Sequence, residues 1–372
     1  MKKKKSIYKK VVIKVGTKII TSDSAALDKK EIQNLTNQIL LLLNDNVEVI
    51  LVSSGAIAGG MNLLGLTTRP KSLPLLQASA AVGQSRLMNI YDYYFQKGGF
   101  FTAQLLITQA DLSDRARYLN AKNTIVSLLK KRVVPIINEN DTVATDEIKF
   151  GDNDALSALV ANLTGADCLI ILTDVDGLYS TGVDGKKSKV DEVKRINHNI
   201  EKLVYSSNHC LSVGGMKTKL KAARVATSSG ISCVIANGRM EDVLVKVVNG
   251  DSVGTLFLPQ PLKLKDRKRW IAFGRKPKGR IAVDKGAVSA LRDQGRSLLS
   301  AGISDAAGDF SYGDVVSVLN EERKEFARGL TNYSLKEIKQ IQGCRTNMIE
   351  KRLGYKYYDE IIHRDNLVIL PR

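Results

Sequence analysis

The sequence predicts an α/β fold with a mainly parallel central sheet flanked by helices, followed by a small β-rich C-terminal domain. Three observations carry this. Five short apolar runs, at 11–13, 47–52, 133–137, 168–172 and 231–235, are rich in β-branched residues and bounded by polar ones, the composition of buried strands. Between them lie segments with helical spacing: Ile32, Leu35, Ile39 and Leu42/Leu43 recur three or four apart in 29–43, and 154–163 and 216–229 behave alike. Strands alternating with helices make a parallel sheet covered on both faces. After about residue 260 the pattern changes to short Gly-punctuated runs at 279–284, 313–318 and 325–330, with the helix-like GAVSALRDQG between the first two. A chain of 372 residues is long enough for two or three domains. The expected division is a first domain at 1–260, a basic linker at 261–278, a second domain at 279–357 and a C-terminal tail at 358–372.

Composition excludes several classes. A hydrophobic share of 44% and a charged share of 25% belong to a soluble globular chain, not to a disordered one. The longest uninterrupted apolar runs are four or five residues, whereas a membrane-spanning helix needs about 20. The opening MKKKKSIYKKVVIKVG is basic but lacks the long apolar stretch of a secretory signal. Cys168, Cys210, Cys233 and Cys344 show no C-x-x-C spacing and read as reduced thiols of a cytoplasmic protein. His209-Cys210 falls short of a four-ligand zinc site. The net charge of +18 is concentrated in two places: six Lys within residues 1–10, and nine Lys/Arg against Asp266 within 263–280. Such patches suit a polyanion partner, and equally a solvated tail and a solvated linker.

The residues after each strand-like run carry the chemistry. They read Lys14-Val15-Gly16-Thr17, Ser53-Ser54-Gly55, Asn138-Glu139-Asn140-Asp141, Thr173-Asp174-Val175-Asp176-Gly177 and Ala236-Asn237-Gly238. Ligands of open α/β sheets bind beyond the carboxyl ends of the strands. Five strand ends rich in Gly, hydroxyls, amides and acids therefore predict one large site built from strand-end loops. Neither G-x-x-x-x-G-K-[ST] nor G-x-G-x-x-G occurs, so the usual P-loop and dinucleotide-binding loops are absent. His198, His209 and His363 all lie away from the strand ends, which argues against a Ser-His-Asp hydrolase.

What is present suits phosphate. Lys14 precedes Gly16-Thr17, Ser54-Gly55-Ala56 leads into a helix, and Gly214-Gly215-Met216-Lys217-Thr218-Lys219 does the same. Small-residue turns at helix starts let backbone N–H groups approach an anion. The segment 138–158 packs Asp141, Asp146, Glu147, Asp152 and Asp154 with Asn138, Asn140 and Asn153. Acids this dense repel unless a metal ion, lysine ammonium groups or a substrate amino group lies among them.

VVIKVGTKI, VILVSSGAIAGG, QASAAVGQSRLM, VVPIINENDTVATDEIKFGDNDALSA, LIILTDVDGLY and GGMKTKLKAARVA together resemble the glutamate 5-kinase family of the amino-acid kinase superfamily, over residues 8 to 258. Residues 279 to 357 resemble the PUA domain that follows in that family. The resemblance implies an amino-acid-kinase-like sandwich with a PUA-like domain behind it. It implies phosphorylation of the γ-carboxylate of L-glutamate by ATP with Mg2+, the first step of proline synthesis. Carried over by motif, Lys14 and Lys219 would flank the phosphates and Asp154 would hold the lysines. Ser54, Asp141 and Asn153 would bind glutamate, with Asn138 and Asp152 close by. Lys14, Thr173, Asp174, Val213, Gly214, Gly215, Met216, Lys217, Thr218 and Lys219 would bind nucleotide, and no protein metal ligand is expected. The resemblance further implies a homo-oligomer (dimer or tetramer) and proline as feedback inhibitor, and because glutamyl phosphate is expected to be unstable in water, contact with glutamyl phosphate reductase is expected. RNA binding and membrane association are not expected, and the C-terminal domain is expected to stabilise.

Two departures stand out. Val213 replaces a hydroxyl residue common in the family, and the stretch after Tyr179 lacks a frequent Asp-Pro. The alternatives are another amino-acid kinase (acetylglutamate, aspartate or uridylate) and an RNA-binding protein. The NEND…GDND segment and the C-terminal domain argue against the former.

Overall fold

The computed structural model describes residues 6–22, 26–144, 153–181, 187–205, 215–260, 268, 270–274 and 276–370. The chain divides into two compact units, Met1–Leu262 and Lys263–Arg372.

In the first unit the strands are β1 (Lys10–Val15), β2 (Glu48–Ser53), β3 (Thr102–Leu106), β4 (Val134–Asn138), β5 (Cys168–Thr173), β6 (Tyr179–Thr181), β7 (Lys187–Lys189), β8 (Glu192–Val193), β9 (Ser232–Asn237) and β10 (Thr255–Phe257). Among the described residues eight of them form one sheet in the order β3-β4-β2-β1-β5-β9-β10-β8, while β6 and β7 pair as a ribbon. Pairing from β3 through β9 is parallel throughout, and β10 runs antiparallel to β9. All five predicted runs are strands of this sheet. They are legible because burial on both faces leaves a continuous apolar run. The chain leaves β1 on one side through β2 and returns on the other at β5. The switch point beside β1 is where such sheets bind ligands.

Helices cover the sheet as expected. Helix Lys29–Asn44 starts at Asp28, whose carboxylate accepts from the Lys30 and Glu31 N–H groups. It buries the stripe Ile32, Leu35, Ile39, Leu42 and Leu43. Helix Asn153–Thr164 is buried on nearly every face, and its Leu, Ala and Val residues point all round. Helices Ala56–Leu63 and Leu73–Lys97 cross in backbone contact. A Cβ added at Gly60 would lie 1.8 Å from the Ser79 carbonyl oxygen, and one at Gly83 1.8 Å from that of Ala56. Among the described residues no helix is long and apolar enough to cross a membrane.

The second unit is a five-stranded sheet of β11 (Gly279–Val283), β12 (Ile303–Gly308), β13 (Val315–Leu319), β14 (Glu325–Leu330) and β15 (Leu367–Ile369), ordered β12-β11-β13-β14-β15. Helix Lys285–Arg292 is capped by Asp284, and Leu335–Ile341 by a reciprocal Ser334/Glu337 box. Two expectations need correction. Residues 358–370 are not a tail: β15 pairs antiparallel with β14, and Ile361, Ile362 and Leu367 are buried in the core of this unit; 371 and 372 lie outside the described residues. An apolar segment pairing with an edge strand hides backbone that would otherwise stay open. Nor is 261–278 wholly linker. Trp270–Gly274 is a helical turn with Trp270, Ile271 and Ala272 buried, and the Arg328 guanidinium donates to the Ala272 carbonyl at 2.7 Å. Most of the rest, 261–267, lies outside the described residues.

Backbone contact at Gly60 and Gly83 leaves no room for a methyl group. Gly60→Ala and Gly83→Ala are each expected to destabilise the chain by about 1–3 kcal/mol in urea unfolding, the usual cost of overpacking. An unchanged midpoint in both would show that the helices do not meet through their backbones.

Candidate active site

Because β1, β2, β4, β5 and β9 are parallel, their carboxyl ends lie along one edge of the sheet. Against that edge sits the start of helix Asn153–Thr164. Its first two residues tie together two clusters of different chemistry.

Asp154 holds the charged cluster. Its Oδ1 lies 2.7 Å from Lys14 Nζ and its Oδ2 3.4 Å from Lys219 Nζ. The Thr218 hydroxyl donates to Oδ2 at 2.7 Å. Asp154 is 1% exposed, Lys14 5% and Lys219 6%. Burial alone would raise the Asp154 carboxyl, but the charges and hydrogen bonds of Lys14, Lys219 and Thr218 hold it below the usual carboxylate range. Burial, and then the like charge of Lys14, push the Lys219 ammonium down, while Asp154 opposes them. Two lysines against one aspartate leave a formal excess of one positive charge.

Asn153 holds the neutral cluster. Its Nδ2 is 3.2 Å from the Ser53 carbonyl oxygen, 3.0 Å from Ser54 Oγ and 3.0 Å from Asn138 Oδ1. Asn138 Oδ1 also accepts from the Glu139 N–H at 2.9 Å, and Asn138 Nδ2 donates to Gln84 Oε1 at 2.8 Å. Strand ends β2 and β4 position these groups. Gly55, at φ 97°, turns the chain from Ser54 into helix Ala56–Leu63, a left-handed position that glycine adopts without steric cost.

Asp141 lies on the turn after β4, half-buried, and its carboxyl is pushed up to about 6 by burial against the opposing charge of Arg69. On the far side of β1, Thr173 is buried at the end of β5, and its hydroxyl donates to Asp174 Oδ1 at 3.2 Å. Asp174 Oδ2 pairs with Lys18 Nζ at 2.8 Å. Gly215 caps helix Met216–Ser228, with Met216 and Thr218 half-buried and Lys217 exposed. The structure thus brings together Lys14, Asp154, Thr218 and Lys219 in one contact set, and Asn138, Asn153 and Ser54 in another. Asp152, Val213 and Gly214 lie outside the described residues. Sequence reading missed Gln84 and placed Thr218 with the nucleotide alone. The available signal for Gln84 was a lone amide on the buried stripe Leu76, Ala80, Gly83, Leu87.

A buried surplus of positive charge beside neutral hydrogen-bonding groups can hold a polyanion against a small polar molecule. No described cluster of three His, Cys, Asp or Glu side chains could cage a metal ion. Both Asp154 oxygens already face cations.

Residues 9–237 match the model of the amino acid kinase family, and 279–353 match that of the PUA domain. A glutamate 5-kinase of Thermoanaerobacter sp. (strain X514) is 49% identical over 98% of both chains. One from Dehalococcoides mccartyi (strain CBDB1) is 45% identical over 98% of this chain and 99% of its own. A carbamate kinase from Giardia lamblia shares the fold, with a TM-score of 0.50 at 18% identity over 68% of this chain and 99% of its own. Matched along nearly its whole length, the chain belongs to the glutamate 5-kinases of the amino acid kinase family.

Proposed function

We propose that this protein transfers the γ-phosphoryl group of ATP to the γ-carboxylate of L-glutamate, forming L-glutamyl 5-phosphate and ADP. The observation that carries the reading is the buried Lys14–Asp154–Lys219 cluster, joined through Asn153 to the amides of the neutral cluster. The nucleophile is a carboxylate, ionised above a pKa of about 4.3, so no general base is required. A metaphosphate-like transition state needs alignment and neutralisation of its oxygens. Lys14 and Lys219 supply that charge, and Asp154 keeps them in place. The phosphoryl donor would be MgATP, its metal offsetting part of the charge on the phosphates. Thr173, Asp174 and the start of helix Met216–Ser228 flank the nucleotide. Ser54, Asn138, Asn153 and Asp141 orient glutamate, with Asp141 facing its ammonium group. The acyl phosphate is a reactive product, which fits an opening step of proline synthesis.

Hydroxylamine traps an acyl phosphate as a hydroxamate. Wild-type protein with ATP, Mg2+ and L-glutamate is expected to give hydroxamate, and Lys219→Ala to lower its rate about a hundredfold or more. No hydroxamate from folded wild type, or an undiminished rate in the variant, would sink the proposal.

Asp141 gives a pH signature. Its carboxyl titrates at about 6. Below that it is neutral and no longer attracts an ammonium group, so the KM for glutamate should climb roughly tenfold per pH unit. The stability effect has the opposite sign. A carboxyl raised above its unfolded value contributes stability at low pH that is lost as pH rises through its folded value. Asp141→Asn should therefore raise the Tm at pH 8 while raising the glutamate KM about tenfold and abolishing its pH dependence near 6. A variant with wild-type KM would remove Asp141 from the binding site.

A further inference from the structure

Three amide side chains, Gln84, Asn138 and Asn153, form a hydrogen-bonded chain whose polarity the backbone dictates. The Glu139 N–H donates to Asn138 Oδ1 at 2.9 Å, so the other end of that amide must donate, and Gln84 Oε1 accepts it at 2.8 Å. The Ser53 carbonyl can only accept, which turns Asn153 Nδ2 toward it at 3.2 Å and Asn153 Oδ1 away. All three residues are nine-tenths or more buried: Gln84 is 7% exposed, Asn138 2% and Asn153 8%. Two atoms of the chain have no hydrogen-bond partner among the described residues, the donor Gln84 Nε2 and the acceptor Asn153 Oδ1. Buried groups left so are uncommon in folded proteins and mark places where something else completes the network.

We infer that Gln84 is a positioning residue of the glutamate subsite. By accepting from Asn138 Nδ2 it holds in place the orientation that the Glu139 N–H imposes on Asn138, and with it that of Asn153, whose Oδ1 then accepts from an N–H of the bound amino acid. The inference rests on the proposed function for the identity of that amino acid. Its physical content is a dependence at a distance. Without an acceptor at Gln84, Asn138 Nδ2 is buried with no partner, Asn138 rotates to find one, and Asn153 loses the oxygen that Asn138 presents. The position on helix Leu73–Lys97 suits a rigid anchor, since Gly83 beside it packs directly on the backbone of helix Ala56–Leu63.

Gln84→Met keeps the length and unbranched shape of the side chain and a good helix former. In it the KM for L-glutamate should rise roughly tenfold, the scale of one buried unsatisfied group, while the KM for ATP stays within about twofold. A merely structural role would move both together. The double variant Gln84→Met/Asn138→Ala should have a glutamate KM no higher than Asn138→Ala alone, because residues acting as one unit are not additive. Additive effects, an unchanged glutamate KM, or equal rises for both substrates would overturn the inference. A reading without substrate separates this from failure of the proposed function. The side-chain amide 15N–1H signal of Asn153 should shift in Gln84→Met and stay in place in Gln84→Glu, which keeps an oxygen toward Asn138. A signal unmoved in the first variant, or displaced equally in both, overturns the role of Gln84 whatever the acceptor substrate is. If Gln84→Met fails to fold, the same spectrum of Gln84→Glu still decides: a displaced Asn153 signal refutes the relay.

Discussion

Two lysine ammonium groups buried beside each other are the constraint around which the first unit is organised. Taking an ion out of water costs several kcal/mol even after relaxation, and a second like charge adds repulsion. Lys14 and Lys219 come from segments far apart in the chain and meet only because Asp154 stands between them. Asp154 in turn depends on the start of helix Asn153–Thr164, which the surrounding protein buries on nearly every face. The central position of β1, the crossing from β2 to β5 and the packing of helix Met216–Ser228 on this helix all serve one geometric demand: two cations within reach of one carboxylate. The leftover positive charge is what the proposed phosphoryl transfer would draw on.

Asn153 and Asp154 divide the site by chemistry. Charge lies on the Asp154 side, where Lys14, Lys219 and Thr218 converge. On the Asn153 side the nearest partners are neutral: the Ser53 carbonyl, the Ser54 hydroxyl and the amide of Asn138. A phosphoryl transfer to a carboxylate asks for this division. The donor brings dense negative charge that must be neutralised, whereas the acceptor must be oriented without being held so strongly that its nucleophilic oxygen is quenched. Asp141 is the exception on the second side: its burial raises the carboxyl more than the charge of Arg69 lowers it.

Tight helix packing supports the neutral cluster. Gly60 and Gly83 let two helices touch through their backbones, and this fixes Gln84 and the turn after Ser54 with little freedom. Rigid support matters because amides discriminate by direction. An amide rotated by half a turn offers a donor where an acceptor is needed, so its orientation must be imposed by neighbours that can only donate or only accept. The Glu139 N–H and the Ser53 carbonyl are such neighbours.

Much of this was legible in the residues alone. The five strands β1, β2, β4, β5 and β9 stood out because burial on both faces requires unbroken apolar runs. Their polar ends pointed to a site, since turn and cap chemistry accounts for one such strand end more readily than for five on the same edge of the sheet. Strands β3, β8 and β10 did not stand out: β3 is an edge strand with half-exposed and exposed side chains, and the other two span two and three residues. Strand β15 reads as tail in the sequence because its partner β14 lies far back in the chain: Ala327 faces Ile369, Arg328 faces Val368 and Gly329 faces Leu367. Lys14, Asp154 and Lys219 could be named from motifs, but a linear pattern holds no distances, so the single carboxylate bridging both lysines emerged only with the fold. Gln84 shows the same limit more sharply. It is 54 residues from Asn138, and its place as an amide on the buried stripe of a helix marks it as buried without naming the partner it meets. Hydrophobic periodicity is a local property, read within a turn or a pleat, and it determines which elements form and which faces they bury. Hydrogen-bond direction and ion pairing depend on which strand ends the parallel sheet brings side by side, and that is decided by packing across the whole domain.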